Sequence, residues 1–120
     1  MTEQKTGLDF EALRRGIEGS DAGALIGLYA DDAEMVTVNK NATPSSPRVL
    51  SGRGEIAGFL RDVCGREMAY RIKNEVVGEG RVAFNEACEY PDGLKVLTAT
   101  TLEVREGKIS RQVNVEAWDE

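Results

Sequence analysis

From Glu67 onward, apolar and polar residues alternate with a period of two, the pattern of strands with one buried face. Turn residues divide this half into four consecutive strands, at 67–77, 81–90, 94–105 and 108–118. Gly78-Glu79-Gly80 and Pro91-Asp92-Gly93 suit three-residue hairpin loops that end in a left-handed glycine. That register pairs Tyr90 with Leu94, Glu86 with Thr98, Phe84 with Thr100 and Val76 with Val82. One face then collects Met68, Tyr70, Ile72, Asn74 and Val76, with Val82, Phe84, Glu86 and Cys88 beside them. Val96, Thr98, Thr100, Leu102 and Val104 continue it, while Arg71, Lys73, Glu75, Arg81, Glu89, Lys95 and Glu103 take the other side. A slip of one residue would exchange the two sets, so the pairing is strongly specified. The last strand is ambiguous. A two-residue turn at Glu106-Gly107 directs Ile109, Val113, Val115 and Ala117 inward, which hydrophobicity favours; a three-residue turn directs Gln112, Asn114, Glu116 and Trp118 inward. A β-bulge lets both be partly true.

The first half has helical spacing. Leu8 or Phe10, Leu13 and Ile17 form one stripe over 8–18, and Gly19-Ser20 breaks it. Ser20 or Asp21 then caps a second short helix over 21–30, with Leu25, Leu28 and Tyr29 on one side. Gly16, Gly23 and Gly27 each cost a helix interior about 1 kcal/mol against Ala, so these helices must pack on something. A strand follows at 34–38, then a polar stretch with two prolines at 39–47 that reads as a long hairpin loop or flap. After Arg48-Val49-Leu50, residues 51–65 form a third helix with Ile56, Phe59, Leu60 and Val63 inward and Gly65 as its stop. The predicted architecture is α+β, in one domain over 1–120. A curved antiparallel sheet, made of the four-stranded meander and a short strand pair, wraps three helices.

A chain of 120 residues buries roughly two-thirds of its unfolded surface, enough for one core without metals or disulfides. The net charge of −6, with no cluster of Lys and Arg, excludes phosphate-based recognition of nucleic acid or an anionic membrane. The absence of histidine removes Ser-His-Asp and Cys-His catalysis and every His-ligated metal site. Cys64 and Cys88 are too few for a disulfide framework and read as buried free thiols in a reducing compartment. No apolar run has the length of a signal peptide or membrane span, so the expected location is the cytoplasm.

Four segments carry a family likeness: LYADDAEM at 28–35, SGRGEIAGFL at 51–60, EYPDG at 89–93 and LEVREGKISR at 102–111. In this order and spacing the chain resembles the nuclear-transport-factor-2-like superfamily, most of all its SnoaL-like polyketide cyclase and ketosteroid-isomerase branch. The resemblance implies a conical α+β fold, frequent homodimerisation through the sheet, and an apolar pocket between sheet and helices. Ketosteroid isomerases use an Asp base with a Tyr and a protonated Asp that hold the enolate oxygen. The matching positions here are Thr37, Leu13 and Thr100, so that catalytic set does not carry over. Related cyclases use an Asp near the end of the last strand, where this chain has Asp119.

Glu86 is the acid on the inward face, flanked by Ile72, Thr98, Phe84 and Cys88. An unpaired carboxylate there costs several kcal/mol or raises its pKa, and either outcome makes it a candidate acid or base. Tyr70, Asn74, Thr98 and Thr100 are candidate hydrogen-bonding partners for a ligand, with Phe59 and Trp118 as candidate walls. Asp31-Asp32 has no histidine nearby and reads as helix-ending or turn chemistry, so no metal is expected. SGRGEIAGF lacks the strand and the Lys-Ser/Thr of a phosphate loop, and no cofactor is expected. The expected activity is a cofactor-free isomerase, cyclase or lyase acting by proton transfer on a small hydrophobic carbonyl compound. The alternatives are a non-catalytic ligand carrier and a dimeric interaction domain.

Overall fold

Two aspartates start the N-terminal helices. Asp9 accepts from the Ala12 N–H at 3.0 Å and opens α1 (Phe10–Glu18); Asp21 accepts from Ala24 at 3.1 Å and opens α2 (Ala22–Ile26). Gly16 has a packing reason to be there: a Cβ at that position would lie 2.7 Å from the Leu25 side chain, so its absence lets α1 and α2 touch. The computed structural model describes residues 7–119; residues 1–6 and 120 of the expected single domain lie outside them.

The second helix is shorter than its sequence pattern predicts, and the first strand is longer. β1 spans Tyr29–Val38, not 34–38 alone. The cause is a partner far away in the chain. β1 runs parallel to β6 (Lys108–Trp118), Tyr29 standing beside Ile109, and the Ile109 N–H donates to the Leu28 carbonyl at 2.9 Å. This places Tyr29 and Ala33 in the core. The remaining elements are β2 (Arg48–Ser51), α3 (Arg53–Cys64), β3 (Ala69–Val77), β4 (Arg81–Glu89) and β5 (Lys95–Arg105). They form one six-stranded sheet in the order β2-β1-β6-β5-β4-β3. The sheet is therefore mixed, not purely antiparallel, because β1 meets β6 parallel while the other pairs are antiparallel.

The three helices cover one face of the curved sheet. Leu13 of α1, Leu25 of α2 and Ile56 and Leu60 of α3 pack with Met35, Ile72, Phe84, Leu102 and Ile109 of the strands. Phe10 meets Phe84 edge-on, with ring centroids 6.0 Å apart. The predicted pairing of β4 with β5 is the observed one: Glu86 stands opposite Thr98, Phe84 opposite Thr100, and Tyr90 donates to Leu94 at 2.9 Å.

The register shifts in the β1–β6, β3–β4 and β5–β6 pairs, and the last two shifts bear on the site. In β3 the register shifts between Lys73 and Val76, so Val77, not Val76, faces Val82. Asn74 takes a left-handed backbone (φ 59°) within that shift and is exposed, and Val76 is 66 % exposed. In β6 Val104 pairs with Ile109 but Glu103 pairs with Arg111, leaving Ser110 as the extra residue. Ile109 is consequently buried, Gln112, Asn114, Glu116 and Trp118 turn inward, and Val115 turns out. The facing that hydrophobicity favoured holds for Ile109 alone; beyond the bulge the strand follows the other one.

The turn before β6 is the two-residue, primed kind, with Glu106 at φ 53° and Gly107 at φ 78°. A left-handed conformation costs a side chain such as Glu roughly 1–2 kcal/mol, and Asn tolerates it better. Glu106→Asn is expected to raise stability by about 0.5–1 kcal/mol in urea unfolding. A loss of stability would reject this turn geometry.

Candidate functional site

A cavity of about 320 Å³ lies between the helices and the inner face of the sheet, at the small end of the range for small-molecule sites. Its helix side is apolar: Leu13, Ile17, Leu25, Phe59, Leu60 and Val63. Its sheet side is mixed, because the bulge at Ser110 aims alternate polar residues of β6 at it.

The polar wall begins at Tyr29, whose hydroxyl donates to Gln112 Oε1 at 2.5 Å. Gln112 Nε2 donates to Asn114 Oδ1 at 2.9 Å, which also accepts from the Thr100 hydroxyl at 3.1 Å. Asn114 Nδ2 reaches Thr37 Oγ1 at 3.3 Å. Thr37 and Thr100, the positions where an isomerase-type catalytic set would need carboxyls, are thus bridged by a neutral amide. Burial holds the Tyr29 hydroxyl far above the usual tyrosine range, and the Glu86 charge adds to this. Further along β6, Glu116 Oε1 accepts from Asn39 Nδ2 at 3.0 Å and from Trp118 Nε1 at 3.2 Å. Asn39 is fixed in turn by a tight turn, its backbone exchanging hydrogen bonds with Ala42 at 2.9 and 3.2 Å. The segment after β1 thus begins as an ordered turn.

Glu86 lines the cavity from β4. Its side chain is enclosed by protein, yet keeps accessible surface because it faces the cavity. Its protein hydrogen-bond partner is the Cys88 thiol, which donates to Oε2 at 3.5 Å. Among the described residues no Lys or Arg forms an ion pair with it. Burial raises its pKa above the usual carboxylate range, the Cys88 hydrogen bond opposes this, and Glu116 adds to the rise. Burial likewise pushes the Cys88 thiol up, with Glu86 reinforcing it.

The other predicted residues divide. Phe59, Tyr70, Thr98 and Trp118 line the cavity with Glu86. The Tyr70 hydroxyl lies 3.3 Å from the Val63 carbonyl and 3.2 Å from Met68 Sδ. Thr100 is buried outside the lining, committed to Asn114. Asn74 is not at the cavity: the β3 bulge turns it out, where Nδ2 donates to Asn85 Oδ1 at 2.8 Å. Asp31 and Asp32 lie within β1 rather than in a turn, pairing with Arg53 at 2.6 Å and Arg105 at 2.7 Å. Asp119, exposed just past the end of β6, accepts from the Lys95 N–H at 3.2 Å. Among the described residues no cluster of three or more metal-ligating side chains occurs, and no helix is long and apolar enough to cross a membrane. The residues missed in sequence are Tyr29, Gln112, Asn114 and Glu116. The last three were legible as one of two facings of β6, but Tyr29 was hidden by its helical spacing.

Neither a protein-family model nor a curated protein sequence matches the chain. Solved structures do. A candidate ketosteroid isomerase from Kribbella flavida superposes with a TM-score of 0.78 at 18 % identity, over 99 % of this chain and 80 % of that one. An NTF2-like protein of unknown function from Mesorhizobium loti gives a TM-score of 0.78 at 16 % identity, over 98 % and 97 %. An LEH-like epoxide hydrolase from M. tuberculosis gives 0.67 at 18 % identity, over 90 % and 79 %. The chain has the nuclear-transport-factor-2-like fold.

The raised pKa of Glu86 has a consequence for stability. A carboxyl whose folded pKa exceeds its unfolded value favours folding below the unfolded value and loses that contribution as pH rises through the folded one. Glu86→Gln is therefore expected to be more stable than the parent at neutral pH, the gain shrinking to nothing as pH falls below the ordinary value of 4.5. Melting temperatures across pH 3.5–8 check this; a gain that grows in acid would refute it.

Proposed function

We propose that this nuclear-transport-factor-2-like fold houses a cofactor-free enzyme that moves a proton on a small, largely apolar carbonyl compound, with Glu86 as its acid–base group. One observation carries the reading: a carboxyl faces a cavity with an apolar helix wall, and among the described residues no cation is paired to it. A structural carboxylate in such a place would be neutralised by Arg or Lys. An unpaired one has its pKa moved toward the working range, where a single group can take a proton and return it.

In the proposed step the Glu86 carboxylate removes a proton from the carbon beside the carbonyl. The C–H electron pair shifts into the C–C bond while the carbonyl π pair moves to oxygen. The protonated Glu86 then returns its proton to the same or a conjugated carbon, so the group is regenerated. The Thr98 hydroxyl, next to Glu86 across the sheet, is free to donate to the oxygen that gains charge. The apolar helix wall excludes water and takes the body of the substrate. Candidate isomerases stand among the structurally similar proteins, in keeping with this chemistry.

The test needs no known substrate. A panel of apolar ketones is incubated with the protein in D₂O, and hydrogen–deuterium exchange at the α carbon is followed by NMR. Glu86→Gln should slow enzyme-dependent exchange by about 10²–10⁴ with the circular dichroism unchanged. Equal rates would remove Glu86 from the mechanism, and saturable ketone binding without exchange would mark a carrier.

We also propose that two copies associate through the outer face of the sheet. Leu97 (51 % exposed) and Val115 (49 %) stand there among Ala87, Ala99 and Ala117, an apolar strip with small neighbours that permit close approach. Leu97→Glu should convert the dimer to a monomer in sedimentation equilibrium. A parent protein that sediments as a monomer at micromolar concentration contradicts the proposal.

A further inference from the structure

Glu86, Thr98 and Glu116 stand side by side on β4, β5 and β6, Thr98 pairing with both glutamates. All three line the cavity. Among the described residues each keeps an acceptor open. Glu86 is bonded by Cys88 at Oε2, leaving Oε1. Glu116 takes both of its donors on Oε1, leaving Oε2. Thr98 is only 7 % exposed, and among the described residues its hydroxyl makes no protein hydrogen bond. None of these atoms is sealed away from the cavity, since no fully buried side-chain polar atom lacks a partner.

Arg48 and Arg66 line the cavity too, and they and Lys40 already make contacts of their own. Arg66 holds Asp62 at 2.6 Å, Arg48 lies over the Phe59 ring and Lys40 over that of Trp118. Among the described residues neither glutamate forms an ion pair. Neighbouring strands lie about 4.8 Å apart, so the two glutamates arise roughly 10 Å from each other and can close on a group above Thr98. A primary ammonium has three N–H donors and a positive charge, which fits three open acceptors of which two are acidic. A neutral or anionic head would leave at least one carboxylate unmatched. The rings of Tyr70 and Tyr90 on the same lining suit a cation as well.

We infer that the cavity binds a protonated amine on an apolar body, the ammonium held by Glu86, Thr98 and Glu116. The inference rests on the proposed small-molecule site and names the chemical class of ligand that fits its three acceptors.

A matched series on the intact protein tests it by isothermal titration calorimetry: 2-phenylethylamine, 2-phenylethanol and 3-phenylpropionate. The amine should bind about ten- to a hundredfold more tightly than the alcohol, and the carboxylate most weakly. Glu116→Gln should lower amine affinity by about tenfold or more while leaving that of the alcohol unchanged. If the variant does not fold, the parent series alone decides. Alcohol or carboxylate binding at least as tight as the amine, or no amine binding at millimolar concentration, overturns the inference. Ketone exchange without amine preference would sink this inference and leave the proposed reaction standing; amine preference without exchange would do the reverse.

Discussion

The extra residue at Ser110 is the constraint on which the inside of this molecule depends. Without it, β6 would present one uninterrupted face to the helices, either the valines or the polar residues. With it, Ile109 closes the core at the start of the strand while Gln112, Asn114, Glu116 and Trp118 face the cavity beyond it. The cost is local disruption of one ladder; the return is a fully buried Ile, of the order of 1.5–3 kcal/mol, and a polar wall in the same strand. Parallel pairing with β1 depends on this geometry too, since Ile109 stands beside Tyr29 and Asn114 beside Thr37.

That wall separates two electrostatic regimes within one small cavity. From Tyr29 to Thr37 the polar groups satisfy one another through neutral hydrogen bonds, so they order the interior without charge. One row further along the strands, Glu86 and Glu116 flank Thr98 with no ion-pair partner among the described residues, and burial, with the nearby Glu116, raises the cost of the Glu86 charge. A sequence selected for stability alone would place apolar residues or an ion pair there. Stability given up in a cavity is the usual mark of a site that meets a ligand. The fold itself does not choose the ligand, because shared architecture at such low identity leaves the side chains of the site free to differ.

What the sequence determined by itself is what local periodicity and short turns can encode. Alternation through β4 and β5 with Pro91-Asp92-Gly93 between them set the pairing of Glu86 with Thr98, hence the inward carboxylate, because a one-residue slip would have exposed Phe84 and Leu102. The four ordered segments likewise pointed to the right fold. Tertiary structure decided the rest, wherever the partner is remote or the period breaks. Tyr29 carries helical spacing yet joins a strand, because only β6, far along the chain, supplies its backbone partners. Asn74 fits the inward set by counting, and a bulge against β4 turns it out. Glu116 could have faced either way until β5 and β1 together held β6 in place. A bulge is an energy balance between two strands and the core behind them, and no single segment contains it.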